Sequence, residues 1–135
     1  TLVRNPWDRM VSYYHWLQEQ TFTHRAVNLA QTCDFSGFLN DPQNAASFAK
    51  YDYHSYMRDI RGQDQCNLYA RLEHLETDLA PLWDHLRFEL ELPIVNASVR
   101  RRDLRDYYTA KDAETLGRTA ARDIAQFGYQ FDPAP

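Results

Sequence analysis

The chain has 135 residues, the length of one ordinary domain, and is 44% apolar, 25% charged and 14% aromatic, the range of a packed globular protein rather than a disordered one. Its net charge of −4 argues against a nonspecific nucleic-acid binder, which would be basic overall. No apolar run approaches the roughly 20 residues needed to span a bilayer, and no secretory signal opens the chain.

Thr1-Leu2-Val3-Arg4 reads as the end of a buried strand. Asn5-Pro6 then starts a helix: Asn is a favoured N-cap, and Pro fits the first helical position, where its missing N–H costs nothing. Trp7, Met10, Val11, Tyr14 and Leu17 follow at helical spacing and predict one apolar stripe over residues 6–20. Strand, turn and capped helix make the βα unit of an α/β protein. Residues 21–50 are less regular. Asp34-Phe35-Ser36-Gly37-Phe38-Leu39 reads as a short helix that Asn40-Asp41-Pro42 ends by turn chemistry. The aromatic stretch through Tyr51, Tyr53 and Tyr56 has no readable phase. Asn67 to Glu73 alternates, with Leu68, Ala70 and Leu72 on one side and Tyr69, Arg71 and Glu73 on the other, which predicts a strand. Leu75, Leu79, Leu82, Trp83 and Leu86 repeat at helical spacing, and Pro81 suits that helix only if it begins near Thr77 or Asp78. Leu92-Pro93-Ile94-Val95-Asn96 reads as a connector. Thr109 with Asp112 makes a capping-box start for a last helix through Leu116, Ala120, Ile124 and Phe127, ended by Gly128. With no repeats, low-complexity tracts or linkers, residues 1–135 read as a single domain, 18–60 being its weakly assigned part.

Cys33 and Cys66 lie far apart with no CxxC pair near either, which argues against a zinc site or a disulfide-stapled scaffold and for two thiols in a reducing compartment. Of 15 basic residues only Lys50 and Lys111 are lysines. Arginine forms planar bidentate contacts with oxyanions, so this choice suits phosphate handling, and biased codon usage would produce it as well. The segment richest in chemistry is Val3 to Tyr14. Arg4 leaves the C-terminal end of a strand, where ligands bind in open α/β sheets, and Ser12 lies about two turns into the following helix. The two can converge on one oxyanion near the helix start, with a charge-assisted fork from the arginine, a directional hydrogen bond from the serine and the field of the helix N-terminus. The alternative is a salt-bridged arginine and a helix-surface serine.

Arg-Asn-Pro-x-Asp followed by Val-Ser-Tyr-Tyr-His, with Arg4 and Ser12 eight positions apart, resembles the 3′-phosphate-binding segment of sulfotransferases that use 3′-phosphoadenosine 5′-phosphosulfate (PAPS). Leu68 to Leu79, containing Arg71-Leu72-Glu73 and Asp78, resembles the Arg-Phe-Glu-x-Leu-x-x-Asp stretch of the carbohydrate-type sulfotransferases and their bacterial relatives. Leu92 to Ser98, then Asp106-Tyr107-Tyr108, then Asp123 to Tyr129 are similar to the tail of that group in order and spacing. The Arg-Lys-Gly segment of the cytosolic branch is missing. The resemblance implies a helix-rich α/β, P-loop-NTPase-like fold, and transfer of a sulfuryl group from PAPS to an acceptor hydroxyl or amine, leaving adenosine 3′,5′-bisphosphate, with no metal. It implies that Arg4 and Ser12 hold the 3′-phosphate. Asp8 and Arg9 fit the motif but read equally as helix-capping and surface charges, and Arg71 and Glu73 as a structural ion-pair network. Arg100-Arg101-Arg102 with Arg105 falls where such proteins often close a loop over nucleotide or acceptor.

The family's glycine-rich loop for the 5′-phosphosulfate finds no counterpart, since each of the four glycines is isolated. That loop and the usual catalytic base are expected before Thr1, so the chain reads as the C-terminal portion of the fold, N-terminally truncated and inactive alone. His15, His24, His54, His74 and His85 could each act as a base by chemistry, but no motif places any of them, and the catalytic residue stays unassigned. The acceptor (sugar, lipid, peptide or small molecule) is not written in the chain. A truncated sheet favours self-association. The arginine bias leans toward a cytoplasmic, bacterial protein. The rival reading is a non-catalytic nucleotide-binding or interaction domain that retains the fold.

Overall fold

In the computed structural model, which describes residues 1–93 and 103–131, the organising element is helix α1 (Pro6–Gln18). It begins as the sequence predicts: the Asn5 side chain accepts the Trp7 N–H and Pro6 occupies the first turn. Trp7, Met10, Val11, Tyr14 and Leu17 are all buried. Around them pack Ala26, Val27 and Ala30 of α2 (Arg25–Thr32), Phe35, Phe38 and Leu39 of α3 (Phe35–Asn40), and, from farther along the chain, Leu116. Two polar ties fix the helix at its ends: Trp7 Nε1 donates to the Ala113 carbonyl at 3.0 Å, and Tyr14 donates its hydroxyl to the Cys33 carbonyl at 2.9 Å.

Two helices follow α3: α4 (Pro42–Lys50), capped by Asp41, and α5 (Tyr53–Met57), capped by Asp52. Strand β1 (Leu2–Val3) pairs in parallel with β2 (Ala70–Arg71), Leu2 opposite Ala70 and Val3 opposite Arg71. The whole of α1–α5 is therefore the crossover between two parallel strands. A 3₁₀ turn (Leu72–His74) leads into α6 (Leu75–Leu86); a second (Leu104–Tyr107) precedes α7 (Ala110–Thr119) and α8 (Ala121–Phe127). The architecture is helix-rich with a small parallel sheet, consistent with the α/β class. No helix among the described residues is long and apolar enough to cross a membrane.

Several expectations are corrected. The strand over Asn67–Glu73 shrinks to Ala70–Arg71: Leu72 is 41% exposed, so nothing rewards continued alternation, and the chain turns at once into the 3₁₀ turn. β1 is half-buried rather than buried, with Val3 fully covered and Leu2 open to solvent. Helix α6 starts at Leu75, which places Pro81 inside it rather than in its first turn. Pro81 is exposed, where water can satisfy the carbonyl that lacks a helical partner. The helix predicted from Thr109 has its capping box but breaks at Ala120, whose φ of −101° and ψ of 19° separate α7 from α8. Gly128, at φ 69°, ends α8 as expected. Asn40-Asp41-Pro42 does end α3, and in the same step it starts α4. Of the predicted connector, Ile94–Asn96 lies outside the described residues. Cys33 and Cys66 are free thiols.

Candidate functional site

Arg4 emerges from β1 directly before the α1 cap, so the strand end and the helix start fix its backbone together. From there a half-open cavity of about 450 Å³ runs along one side of α1. Arg4, Arg9, Ser12, Tyr13, Trp16 and Glu19 form that wall. Positions 9, 12, 13, 16 and 19 are the i, i+3, i+4 series of one helix face, about 15 Å long from Arg9 to Glu19. Asn44, Ser47 and Phe48 of α4, with Tyr51 and Tyr56 beyond it, form the opposite wall.

The two residues expected to act together, Arg4 and Ser12, thus line one cavity. Its geometry differs from a helix-N-terminal nest. The Asn5 side chain takes the Trp7 N–H at 3.0 Å, and the cavity follows the flank of the helix rather than its end. What it offers an anion is arginine and hydroxyl, graded from cationic at the start of α1 to carboxylate at Glu19. The middle is aromatic: Tyr13 and Trp16 stack at 6.2 Å on α1, and Tyr51 and Tyr56 meet at 6.2 Å across from them. Burial, with Tyr56 nearby, pushes the Tyr13 hydroxyl up against the pull of Arg9, so it stays protonated at neutral pH.

Arg4 is paired. Its Nε and Nη2 both reach Asp8 Oδ2, one helical turn along. Arg9 is held differently: its Nη2 donates to the Tyr51 carbonyl at 3.1 Å, and its guanidinium lies 4.9 Å from the Phe48 ring centroid and 4.4 Å from that of Tyr53. Its Nη1 stands 3.7 Å from Asp123 Oδ2. Asp123, on α8, is 1% exposed and accepts the Tyr53 N–H at 3.2 Å. Burial raises the Asp123 carboxyl above the usual carboxylate range, against the Tyr53 N–H and Arg9.

The other sequence blocks meet at the same helix start. Glu73 accepts the Asn5 N–H at 2.7 Å with one oxygen and the Tyr129 hydroxyl at 3.2 Å with the other, and Asn5 Nδ2 donates to the Gln130 carbonyl. Arg71 forks onto Asp78 with two bonds of 2.8 Å, and its own N–H also reaches that carboxylate. Arg71 and Glu73 are therefore network residues behind the site, though not paired with each other. Tyr108 donates to the Trp7 carbonyl at 2.8 Å.

The histidines have structural partners or lie apart from the cavity. His15 Nε2 is 2.9 Å from the Tyr107 hydroxyl, His24 Nδ1 caps α2 by accepting the Ala26 N–H, and His54 lies 3.4 Å from Asp64. His74 and His85 are exposed on the α6 side. Arg105 pairs with Asp103, while Arg100, Arg101 and Arg102 lie outside the described residues. The sequence did not reveal Arg9's clamp, the α4 wall or Asp123. Asp41-Pro42 carried the signal for α4, being the same cap-and-proline start as Asn5-Pro6. No family model matches the chain, and neither a curated protein nor a solved structure matches it.

Proposed function

We propose that this chain carries the 3′-phosphate-binding segment of a PAPS-dependent sulfotransferase, with a P-loop-NTPase-like α/β fold of the carbohydrate-type and bacterial branch. The observation that supports it best is that Arg4 and Ser12 open onto one cavity beside a βα junction. A second support is that the blocks resembling the family, around Glu73 and around Tyr129, converge on Asn5, next to Arg4. Arg4 supplies charge and a planar fork, and Ser12 a hydroxyl whose direction distinguishes an oxyanion from a bare negative charge.

In the reaction, an acceptor hydroxyl or amine attacks sulfur in line. The new bond to sulfur forms as the bond from sulfur to the phosphate oxygen breaks, the acceptor proton passes to a base, and adenosine 3′,5′-bisphosphate leaves. Holding the 3′-phosphate does not touch the reacting sulfur. Its role is to position the nucleotide, so its loss weakens binding and misaligns attack together.

Calorimetric titration of adenosine 3′,5′-bisphosphate into this chain tests the proposal, with adenosine 5′-monophosphate as the control lacking the 3′-phosphate. The expected result is saturable binding of the bisphosphate alone, weakened at least about tenfold in Arg4→Ala and measurably in Ser12→Ala, since a hydrogen bond to a charged group contributes roughly 1.5–3 kcal/mol. Equal binding of both nucleotides, or no binding of either, overturns it.

A further inference from the structure

Arg4 is not the only arginine lining the cavity. Its guanidinium already faces the Asp8 carboxylate, so a phosphate arriving there meets a negative charge along with the positive one. The second arginine of the cavity, Arg9, is built in a way that a solvated helix-surface arginine is not. Three separate parts of the chain hold it: Phe48 on α4, the Tyr51 carbonyl with the Tyr53 ring at the start of α5, and Asp123 on α8. Only 23% of its side chain stays accessible, and it lines the cavity together with Arg4 and Ser12. Two rings within about 5 Å of its centre and a hydrogen bond to the Tyr51 carbonyl confine the guanidinium before any ligand arrives, which lowers the entropy lost when it binds an oxyanion.

Asp123 stands behind this arrangement. It touches Arg9 at ion-pair distance and, through the Tyr53 N–H, fixes the residue whose ring lies over Arg9. The Tyr53 hydroxyl in turn lies by the backbone N–H of Arg4. A carboxyl with 1% exposure is costly to bury, and of the groups that face it, which include Asp52 and Arg122, the Tyr53 N–H and Arg9 both lead to the cavity.

We infer that Arg9 is a further anion-binding residue of the cavity, acting beside Arg4 and Ser12, and that Asp123 is the positioning residue that sets it. This rests on reading the cavity as an oxyanion site, and it goes beyond that reading by placing part of the site under the control of the C-terminal helix α8.

The test titrates the full chain with two probes, adenosine 3′,5′-bisphosphate and inorganic pyrophosphate. The proteins are wild type, Arg9→Lys, Asp123→Asn and the double variant. Asp123→Asn keeps an oxygen for the Tyr53 N–H while removing the charge that faces Arg9, and Arg9→Lys keeps the charge while losing the planar guanidinium between the two rings. Circular dichroism and the thermal midpoint identify any variant that fails to fold. In that case the ring-current-shifted Arg9 side-chain N–H signal of the wild type, followed by NMR as pyrophosphate is added, gives the answer without a substitution. The expected result is roughly tenfold weaker binding in each single variant and little further loss in the double, because Asp123 acts through Arg9. Unchanged affinity in both single variants, additive losses, or an Arg9 signal that pyrophosphate does not move overturns the inference, while the bisphosphate reading survives if wild type binds it. Binding of pyrophosphate but not of the bisphosphate overturns the nucleotide reading and leaves Arg9 and Asp123 to be judged on the pyrophosphate data. Wild type binding neither probe overturns both.

Discussion

Asp8 holds the most instructive position beside the cavity, because it belongs to the helix and also pairs with Arg4 of the cavity wall. In the first turn of α1 it sits where the helix field favours a negative charge, and from there it neutralises Arg4. If the cavity takes an anion as proposed, helix stability and binding pull in opposite directions at this residue. Asp8→Asn removes the competing carboxylate and keeps the side-chain shape. The expected outcome is tighter binding of adenosine 3′,5′-bisphosphate by calorimetry, several-fold at low salt, together with a loss of about 0.5 kcal/mol in stability by urea unfolding. Weaker binding would show that Asp8 orients Arg4 rather than opposing the ligand. That Arg4 and Ser12 face one cavity was readable in the sequence, because they lie eight positions apart across a single strand–helix junction. Asp123 was not readable as part of the site, since its approach to Arg9 joins residues more than a hundred positions apart and leaves no local pattern.

Among the helices, what could be read followed how much apolar bulk each one buries. α1 has large side chains on one face and two start signals, and it forms where predicted. α2 buries Ala26, Val27 and Ala30, side chains too small to stand out as a stripe, and its cap is His24, an uncommon choice. α4 buries only Asn44, so no periodicity exists to find. Beyond Phe48, which packs against the core, its hold is polar: Asp41 accepts the Gln43 and Asn44 N–H groups while Arg25 of α2 forks onto the same carboxylate at 2.9 and 2.6 Å. The Arg25 guanidinium, and next the Asn44 N–H, lower the Asp41 carboxyl to about 2. A carboxyl held below its unfolded value of about 3.9 stabilises the fold above that pH, and the contribution disappears as pH falls from about 4 through about 2. Asp123, raised by burial, has the opposite sign, so its ionisation works against the fold at neutral pH. Urea midpoints measured from pH 5 to pH 2 should therefore drop more steeply for wild type than for Asp41→Asn. Matching slopes would remove Asp41 from the account. The α4 wall of the cavity should loosen over the same interval, since this cap is what anchors it to α2.

At the scale of the molecule, helix content and the βα unit were readable, whereas the parallel pairing of its strand with β2, strand length and the α7–α8 break were not. The last two depend on what covers the chain: Leu72 is open to solvent, while Ala120 is buried. The parallel sheet has a further consequence, in the time domain. It joins residues 68 positions apart, Leu2 with Ala70, whereas α1 meets α2 and α3 across short turns. Closing a chain segment of that length costs about 1.7 kcal/mol more than closing one of ten residues, and non-local pairings form slowly for this reason. The α1–α2–α3 cluster is thus expected to assemble first and the strands to zip later, bringing Glu73 to Asn5 and aligning Arg4 after the cluster has formed. Pulse-labelled hydrogen exchange during refolding should show the α1 amides protected before that of Ala70, which donates to the Thr1 carbonyl at 2.9 Å. Simultaneous protection would mean one cooperative step. In the expected order, the α1 wall of the cavity stands first, and its Arg4 mouth and the Arg9–Asp123 contact, which joins residues more than a hundred positions apart, both come late, so the cavity is among the last features the refolding chain acquires.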